Sequence, residues 1–436
     1  MFKLFDLTLK LNGFTIVKAK TEFDKIISLS EEQHYVFIEN KKKEIVEYHI
    51  QKNTFYKELV GSKKFNNWND LPILTKKNLQ KPLAERLSKD YTTKSVFVNK
   101  TSGSSGDPFI FAKDKYCHAI TWASIIYRFG WYKINFNTSF QARFYGIPLD
   151  FIGNGKERIK DFLSNRYRFS IFDLSDVVLE KVLVKFQNKR FDYINGYTSS
   201  IVLFAKFLQS KNIILKDICP TLKVCMVTSE MLFDEDKILM EKQFGIPIVN
   251  EYGASELDLI AFQNKNGDWQ INSETLFVEI LDDDNNVLPY GKEGRIVITS
   301  LYNKAHPFIR YDIGDIGILD EKSTLQKPLL KQLIGRTNDV AILPSGKKSP
   351  GLTFYYVTKS IIEDDGNVKE FIIKQTKIDT FEIDYVSEKE LLLEQISKIE
   401  EAIALYLEPN LNFIFTRKNS LGRSNRGKLK QFKSMI

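Results

Sequence analysis

The sequence has few cysteines: only Cys117, Cys219 and Cys225 in 436 residues. Their spacing matches no metal-ligand pattern, and an odd number cannot all pair in disulfides. We therefore expect buried free thiols in a reducing compartment. The chain also lacks an uninterrupted apolar run approaching about 18 residues, and charges interrupt its first residues, which argues against a membrane span and a signal sequence. The expectation is a soluble, cytoplasmic protein.

A strong charge of one sign is also missing. Lys and Arg number 63 against 55 Asp and Glu, for a formal net charge of +8, and the basic residues cluster only towards the end of the chain. This pattern predicts mild attraction of anionic ligands and no nucleic-acid-binding surface. The length and the 43% of hydrophobic residues indicate a globular chain of two or three domain-sized units.

One loop, Thr101-Ser-Gly-Ser-Ser-Gly-Asp-Pro108, combines two glycines with four hydroxyl groups. Its backbone N–H groups and its hydroxyls can donate hydrogen bonds to phosphate oxygens. The apolar run Lys94–Asn99 precedes it, and aromatic residues with helical spacing follow from Tyr116 to Tyr132, so the pattern predicts a strand and then the loop, ahead of a helical segment. No lysine lies inside the loop, which excludes a Walker loop. A Gly/Ser surface turn is the alternative.

A βαβ unit is predicted further along the chain, from strands at 222–228 and 246–250 and a helix at 234–244. Such units pair their strands in parallel, and ligands bind beyond the carboxyl ends of the strands. The segments Thr228–Glu230 and Asn250–Glu256 lie at those ends. A preceding strand, Phe191–Tyr197, is predicted to end in a turn at Asn195-Gly196.

Three residues of the segment Asn250–Glu256 have side chains or backbone suited to a nucleotide. Tyr252 can offer a ring face to a base, Gly253 allows close backbone approach, and Glu256 supplies a carboxylate suited to a divalent cation. The alternative for Glu256 is a solvated surface charge. Asp315, predicted between glycine turns, can accept two hydrogen bonds from a ribose diol, with a plain hairpin turn as the alternative.

The patterns together predict an α/β protein. A large N-terminal domain, residues 1–334, has mixed and parallel sheets with helices, plus an antiparallel β unit with strands at 276–281 and 294–300 joined by a solvated acidic turn at 282–286. A small C-terminal α/β domain follows at 335–436. Its predicted strands are 371–374, 380–386 and 412–416, and its predicted helices are 352–362 and 387–407. The basic tail around Lys428, taken alone, is typical of a frayed terminus.

Five segments resemble, in order and spacing, the successive signatures of adenylate-forming enzymes. They are Thr101–Pro108, Tyr252–Glu256, Arg310–Asp315, Gly335-Arg336 and Gly427-Lys428. The form Tyr-Gly-Ala-Ser-Glu and the short first half are most similar to the phenylacetate:CoA ligase-like family. Three further segments resemble its subgroup found with capsular-polysaccharide biosynthesis: Leu71–Lys76, Arg310-Tyr311 and Phe371–Gln375. The resemblance covers about residues 55–432.

The resemblance implies an ATP-dependent ligase that activates a carboxylic acid as acyl-AMP, releases pyrophosphate and transfers the acyl group to CoA. The implied phosphate-binding residues are Thr101, Ser102, Gly103, Ser104, Ser105 and Gly106. The implied adenine-binding residues are Ser229, Glu230, Asn250, Tyr252, Gly253 and Ala254. Asp315 and Arg336 would hold the ribose, and Glu256 would hold Mg2+. Lys428, on a small domain that rotates about a hinge, would bridge the substrate carboxylate and the α-phosphate.

One residue and one segment differ from what relatives carry. The hinge position two residues after Arg336 is Asn338, where the family usually has an acidic residue or lysine. Some relatives have a Cys/His zinc site after the Tyr-Gly signature, but Gln263–Ile271 contain neither residue, so no structural zinc is expected. The acid pocket implied by position contains Phe144, Tyr145 and Gly146, with core packing as the alternative.

Two other hypotheses stay open from the sequence. In one, acyl-AMP passes its acyl group to an amine, for example in amide decoration of a sugar precursor for the cell envelope. In the other, the chain is a nucleotide-binding or scaffold module without catalysis. The joint presence of Lys428, Glu256 and Asp315, each with a defined role, argues against that module.

Overall fold

The computed structural model of the chain describes residues 4–61, 67–101, 109–145, 151–171, 174–336, 340–350, 368–406, 408–423 and 429–436. The chain divides into two structural units. The first comprises Met1–Ile313 and Ile318–Lys331, and the second comprises Gly314–Gly317 and Gln332–Ile436. The domain boundary predicted after residue 334 stays a prediction. No helix within the described ranges is long and apolar enough to cross a membrane.

Helices open the first unit. They are α1 (Leu4–Leu11), α2 (Ile16–Ile27), α3 (Glu31–Lys52), α4 (Thr54–Val60) and α5 (Leu83–Arg86), followed later by α6 (Lys115–Gly130). A capping box starts α3, because the Ser30 hydroxyl accepts from Gln33 N–H while the Gln33 side chain accepts from Ser30 N–H. Buried side chains of α2, α3 and α6, including Phe23, Ile38 and Ile120, form one hydrophobic cluster. The helical spacing of residues 116–132 is thereby confirmed as α6.

A seven-stranded sheet forms the centre of the first unit. Its strands are β3 (Gln141–Phe144), β4 (Arg166–Phe169), β5 (Tyr193–Tyr197), β6 (Val224–Thr228), β7 (Ile248–Ala254), β8 (Asp258–Gln263) and β9 (Trp269–Ile271). The order is β4-β3-β5-β6-β7-β8-β9, in which β4 to β7 are parallel and β8 and β9 are antiparallel. The accompanying helices are α7 (Phe151–Leu163), α8 (Asp176–Asn188), α9 (Thr198–Ser210), α10 (Leu215–Ile218) and α11 (Asp234–Phe244).

The predicted βαβ unit is confirmed, since α11 connects the parallel strands β6 and β7. The predicted Asn195-Gly196 turn is wrong, because both residues lie inside the buried strand β5. A Cβ on Gly196 would meet the Phe144 Cβ and carbonyl oxygen at 2.5 Å. The glycine is needed here for close packing of two neighbouring strands and not for a turn.

The loop 102–108 sits in a different context from the predicted one. The preceding strand, β1 (Phe97–Lys100), starts later than expected, and a second strand, β2 (Ile110–Lys113), lies between the loop and α6. The two strands pair antiparallel, with Phe97 opposite Lys113 and Lys100 opposite Ile110. Asp114 then caps α6 by accepting hydrogen bonds from two backbone N–H groups. The loop thus spans the end of a hairpin.

An antiparallel sheet has its four strands in chain order: β10 (Leu276–Leu281), β11 (Glu293–Ser300), β12 (Tyr311–Leu319) and β13 (Leu330–Arg336). The acidic turn after β10 is confirmed, because the Asp282 carboxylate accepts the Asn286 N–H at 2.8 Å. Asp315, however, lies within β12 and not between two turns. The glycines on either side of it continue the strand.

The second unit contains a hairpin of β14 (Val340–Ile342) and β15 (Lys348–Pro350) and a four-stranded sheet. That sheet consists of β16 (Val368–Lys377), β17 (Thr380–Ser387), β18 (Asn412–Arg417) and β19 (Phe432–Ser434), in the order β18-β17-β16-β19. The three predicted strands are confirmed. The helix α12 (Leu393–Tyr406) begins six residues later than predicted (393 against 387), and the helix predicted at 352–362 lies outside the described residues.

The mixed α/β class with an added antiparallel sheet agrees with the prediction. The three cysteines are free and buried, as expected. Beneath the sheet, Phe144, Phe169, Phe186 and Phe204 form part of a large hydrophobic core. This core covers one face of the sheet, and a second cluster that includes Phe129, Met226 and Val249 packs on the other face.

The close approach at Gly196 is testable. We expect Gly196→Ala to lower the free energy of unfolding by about 1–3 kcal/mol, because the added methyl group overpacks a fully buried strand pair. Urea denaturation followed by tryptophan fluorescence measures this. Gly155→Ala is the matched control, since no heavy atom lies within 4 Å of its added Cβ in α7. An unchanged midpoint for Gly196→Ala would contradict the packing argument.

Candidate active site

The carboxyl ends of β6 and β7 lie side by side, with Thr228 paired to Glu251. The segments predicted to bind a nucleotide therefore start from neighbouring strands. Ser229, directly after β6, has a positive φ of 71° and is exposed. Glu230 accepts the Ser199 N–H at 2.8 Å at the first turn of α9. Its carboxylate therefore also stabilises the amino end of that helix.

The end of β7 turns sharply into β8. A Cβ on Gly253 would lie 2.5 Å from the Asp258 carbonyl oxygen, so only glycine fits this turn. Tyr252 is 7% exposed, and its ring meets Trp269 edge-on at 6.1 Å. Asn250 N–H donates to the Gln263 side chain at 3.4 Å. The sequence predicted that a ligand would approach the backbone closely at Gly253. In the structure, β8 makes this close approach through the Asp258 carbonyl oxygen.

Glu256 lies in the turn between β7 and β8 and is 4% exposed. Its Oε1 accepts a hydrogen bond from the Tyr311 hydroxyl at 3.0 Å. Burial of a carboxylate costs free energy unless a partner or a cation compensates for the lost water. Glu256 is therefore not a solvated surface charge. The resemblance included Tyr311 in a signature segment but gave it no role.

A second ion pair fixes the same turn. The Lys113 ammonium, 2% exposed at the end of β2, forms a hydrogen-bonded ion pair with Asp258 and donates to the Ser255 carbonyl oxygen at 3.5 Å. Asp258 has a positive φ of 58°, which the tight turn imposes. Lys113 thereby joins the hairpin that carries the loop 102–108 to the turn that carries Glu256. No local pattern in the sequence singles out Lys113, because its partner is 145 residues away.

Thr101 closes the base of the loop. Its hydroxyl accepts the Phe109 N–H at 3.0 Å, and its own N–H donates to the Phe109 carbonyl oxygen at 3.0 Å. The other predicted phosphate-binding residues, Ser102 to Gly106, lie outside the described residues. The structure therefore defines where the loop begins and ends.

Two of the subgroup signatures meet in the structure. Leu74 forms a parallel bridge with Tyr311, through hydrogen bonds of Leu74 N–H to the Arg310 carbonyl and of Asp312 N–H to the Leu74 carbonyl. The buried Arg310 guanidinium donates to the carbonyl oxygens of Asn69 and Leu71 at 2.8 and 3.2 Å. The segment 71–76 thus supports the strand that carries Tyr311.

The three residues predicted for the acid pocket do not share one environment. Phe144 is fully buried in the core under the sheet, which assigns it to packing. Tyr145 is half-buried, with the Arg143 guanidinium 4.0 Å from its ring centroid and the Tyr197 ring at 4.6 Å. Gly146 lies outside the described residues. Tyr145 is therefore the described member of this set that can face a substrate.

Glu251, which sequence reasoning did not select, has an unusual environment. Burial raises its pKa from an ordinary 4.5 to about 7, while the Thr228 hydroxyl and the Arg143 guanidinium lower it. Burial also raises the pKa of Tyr145, on which the charges of Arg143 and Glu251 both act. Glu251 immediately precedes the Tyr-Gly signature, and that position is the one signal that could have identified it.

The remaining predicted residues belong to the second unit. Asp315 is 9% exposed within β12, and Arg336 ends β13. Asn338 and Lys428 lie outside the described residues. Across the described ranges, no three His, Cys, Asp or Glu side chains are grouped to hold a metal ion. The expectation about zinc stays a prediction.

The chain is similar in sequence to known proteins. No protein-family model matches the sequence. The chain is 25% identical over 430 residues to Protein CapK of Staphylococcus aureus, covering 94% of this chain and 91% of CapK. It is 27% identical over 173 residues to phenylacetate-coenzyme A ligase of Aromatoleum evansii, covering 35% and 38%.

Solved structures of ligases share the fold of this chain. A 2-hydroxyisobutyryl-CoA ligase in its postadenylation state aligns with a TM-score of 0.70 at 16% identity, over 92% of this chain and 89% of that one. The chain therefore has the fold of adenylate-forming ligases, and its sequence is similar to that of a phenylacetate-coenzyme A ligase. The amide bond synthetase McbA from Marinactinospora thermotolerans has the same fold, with a TM-score of 0.55 at 14% identity over 76% and 66% of the two chains. The adenylate-forming fold thus extends over nearly the whole chain.

The raised pKa of Glu251 predicts a pH-dependent stability. Between about pH 4.5 and 7 the folded state binds more protons than the unfolded state, so this side chain lowers stability as the pH rises. Glu251→Gln keeps the neutral form, and we expect it to raise the free energy of unfolding at pH 8 by about 1–3 kcal/mol more than at pH 5. Urea denaturation at the two pH values measures this. Glu180→Gln, at an exposed position, is the control, and equal shifts for Glu251→Gln at both pH values would contradict the prediction.

Proposed function

We propose that this protein is an ATP-dependent ligase that activates a carboxylic acid as acyl-AMP, releases pyrophosphate and transfers the acyl group to CoA. The observation that carries the proposal is the buried Glu256 carboxylate, held by Tyr311 on a turn that Lys113 joins to the loop hairpin. The similarity to a phenylacetate-coenzyme A ligase and the shared ligase fold support the same chemistry. Substrate carboxylate attacks the α-phosphorus in line, so the protein's task is positioning and charge neutralisation.

Glu256 fits a role in holding Mg2+. Its Oε1 accepts from Tyr311, whereas Oε2 accepts no hydrogen bond from the described residues. A carboxylate oxygen without a protein donor suits a hard divalent cation that also contacts phosphates. The bound cation would neutralise phosphate charge. Tyr311 would orient the carboxylate towards it.

Other residues enter the proposal with different support. Thr101 closes the phosphate loop, and the residues 102–106 would donate to the phosphates. The adenine would contact the ends of β6 and β7, from Ser229, Glu230, Asn250, Tyr252, Gly253 and Ala254. Asp315, Arg336 and Lys428 enter by resemblance alone, as ribose-binding residues and as the lysine that bridges the carboxylate and the α-phosphate. Asn338 would be the hinge.

Transfer to an amine is the second candidate. McbA, an amide bond synthetase, has the same fold, and the relative CapK has a capsule-related name. Purified protein with ATP, Mg2+, the acid and CoA distinguishes the two: acyl-CoA formation supports the ligase with CoA. Acyl-AMP that persists until an amine is added supports the amide ligase. We expect the protein to act in the cytoplasm, where its free thiols stay reduced.

The first experiment is a pyrophosphate-release screen with ATP, Mg2+ and a panel of aryl, fatty, hydroxy and amino acids. We expect release that depends on one class of acid. Glu256→Gln should lower the rate about 100-fold, because it removes the charge that holds the cation. Tyr311→Phe should raise the Mg2+ concentration for half-maximal rate about 10-fold. The exposed Glu47→Gln is the matched control.

One outcome would count against adenylation, and another would count against the role of Glu256. Absence of release with every acid, together with absence of ATP binding by calorimetry, would replace the proposal with a binding module that lacks catalysis. Full activity of Glu256→Gln would remove the proposed role of this carboxylate.

The role of Lys428 is tested separately. We expect Lys428→Ala to lower acyl-AMP formation about 100-fold, since it removes a donor that stabilises developing charge. ATP binding, measured by calorimetry, should be retained. Lys433→Ala, at an exposed position of β19, should behave as the wild type. Unchanged acyl-AMP formation by Lys428→Ala would contradict the assignment.

A further inference from the structure

Polar side chains line one face of the central sheet at the carboxyl ends of its strands. Tyr197, Thr228 and Glu251 are register neighbours across β5, β6 and β7. Arg143 pairs with Asn195 two positions before Tyr197, so strand alternation directs it to the same face. We call Arg143, Tyr145, Tyr197, Thr228 and Glu251 the polar row. Phe144 and Gly196 alternate with Arg143 and Tyr197 along the strands and pack against each other, while the rings of Tyr145 and Tyr197 also pack against the hydrophobic core.

The guanidinium of Arg143 lies at one end of the row. It lies 4.0 Å from the Tyr145 ring centroid, and its Nε is buried without a hydrogen-bond partner. A buried guanidinium nitrogen needs an oxygen acceptor to offset its lost hydration. A bound molecule could supply that oxygen.

The other end of the row is acidic. Glu251 is partly buried, and the Thr228 hydroxyl and the Arg143 charge both act on it. With a pKa of about 7, this carboxyl can accept a hydrogen bond when ionised or donate one when protonated. The charges of Arg143 and Glu251 both act on the Tyr145 hydroxyl. The row therefore offers donors and acceptors of balanced charge.

The row adjoins the residues proposed to bind the nucleotide. Thr228 directly precedes Ser229, and Glu251 directly precedes Tyr252. An acid whose carboxylate reaches the α-phosphate near these residues would lay its acyl group over the row. Arg143, Tyr145 and Glu251 each keep partial solvent exposure, whereas Thr228 is 5% exposed.

We propose that the acid is a short polar one, whose acyl chain carries hydroxyl or amide groups that hydrogen-bond to Arg143, Thr228 and Glu251. This inference rests on the proposed adenylation. A fatty or aryl acyl group would bury the charged ends of the row without partners. The opposite charges of Arg143 and Glu251 favour neutral polar groups over a second carboxylate. Sites that hydrogen-bond a substrate group reject analogues that lack it far more strongly than apolar pockets reject a missing methylene.

Matched acids test the inference by acid-dependent pyrophosphate release. The pairs are lactate with propionate, glycerate with butyrate, and N-acetylglycine with pentanoate, alongside phenylacetate and hexanoate. We expect kcat/KM for at least one polar acid to exceed that of its alkyl partner, and of phenylacetate and hexanoate, by about 100-fold or more. Preference for an alkyl or aryl acid would overturn the inference and leave adenylation established. Absence of release with every acid, with ATP binding lost, would instead overturn the proposed function and this inference with it.

Variants assign the preference to the row. Arg143→Met should lower kcat/KM for the preferred polar acid at least about 10-fold while leaving that for its alkyl partner and the ATP affinity unchanged. Arg190→Met, at an exposed position, is the matched control. Thr228→Val removes one hydroxyl and keeps the shape, and provides a second variant with the same expected direction if Arg143→Met does not fold. Equal losses for polar and alkyl acids in the variant that folds would contradict a role in selectivity.

Discussion

The buried carboxylate of Glu256 is the constraint on which the candidate site depends. A charge removed from water is tolerated only in a fixed polar setting, and three contacts fix it here. Tyr311 donates to its Oε1, Lys113 holds the same turn through Asp258 and Ser255, and Gly253 lets β7 and β8 approach. Because breaking a buried pair leaves an uncompensated charge, each contact matters more to the geometry than its own strength indicates.

The central sheet separates two tasks by the alternation of its strands. Residues such as Phe144 and Gly196 point into an aromatic core, where close packing fixes the strand positions. Arg143 precedes Phe144 and by strand alternation points to the opposite face, near the end where ligands of parallel sheets bind. Rigid strands therefore present polar groups at defined spacings. This arrangement suits a reaction whose catalysis is mostly positioning.

Some residues in the segments that resemble family signatures have structural roles. Arg310 holds the segment around Leu71 through backbone carbonyl oxygens, and Leu74 pairs with Tyr311 as a short additional strand. Glu230, in a segment implied to bind adenine, also stabilises the start of α9. Residues of these segments therefore also serve the architecture, and substitutions at Arg310 and Glu256 should differ in kind. Substitution of Arg310 should disturb the packing of the segment around Leu71, whereas substitution of Glu256 should remove a buried negative charge.

The sequence by itself determined the α/β class, the βαβ unit from β6 to β7, the strands of the second unit and the positions of the signatures. Periodicity and turn residues are local properties, so they can be identified along the chain. Only the tertiary structure decided that Asn195-Gly196 lies within a strand, that β2 follows the loop, and that Lys113, Arg143 and Glu251 belong to the site region. Lys113 and Asp258 are 145 residues apart, and Tyr311 and Glu256 are 55 apart. Such pairs exist only after the sheet and hairpin have packed, because no local pattern specifies which distant side chains share a buried space.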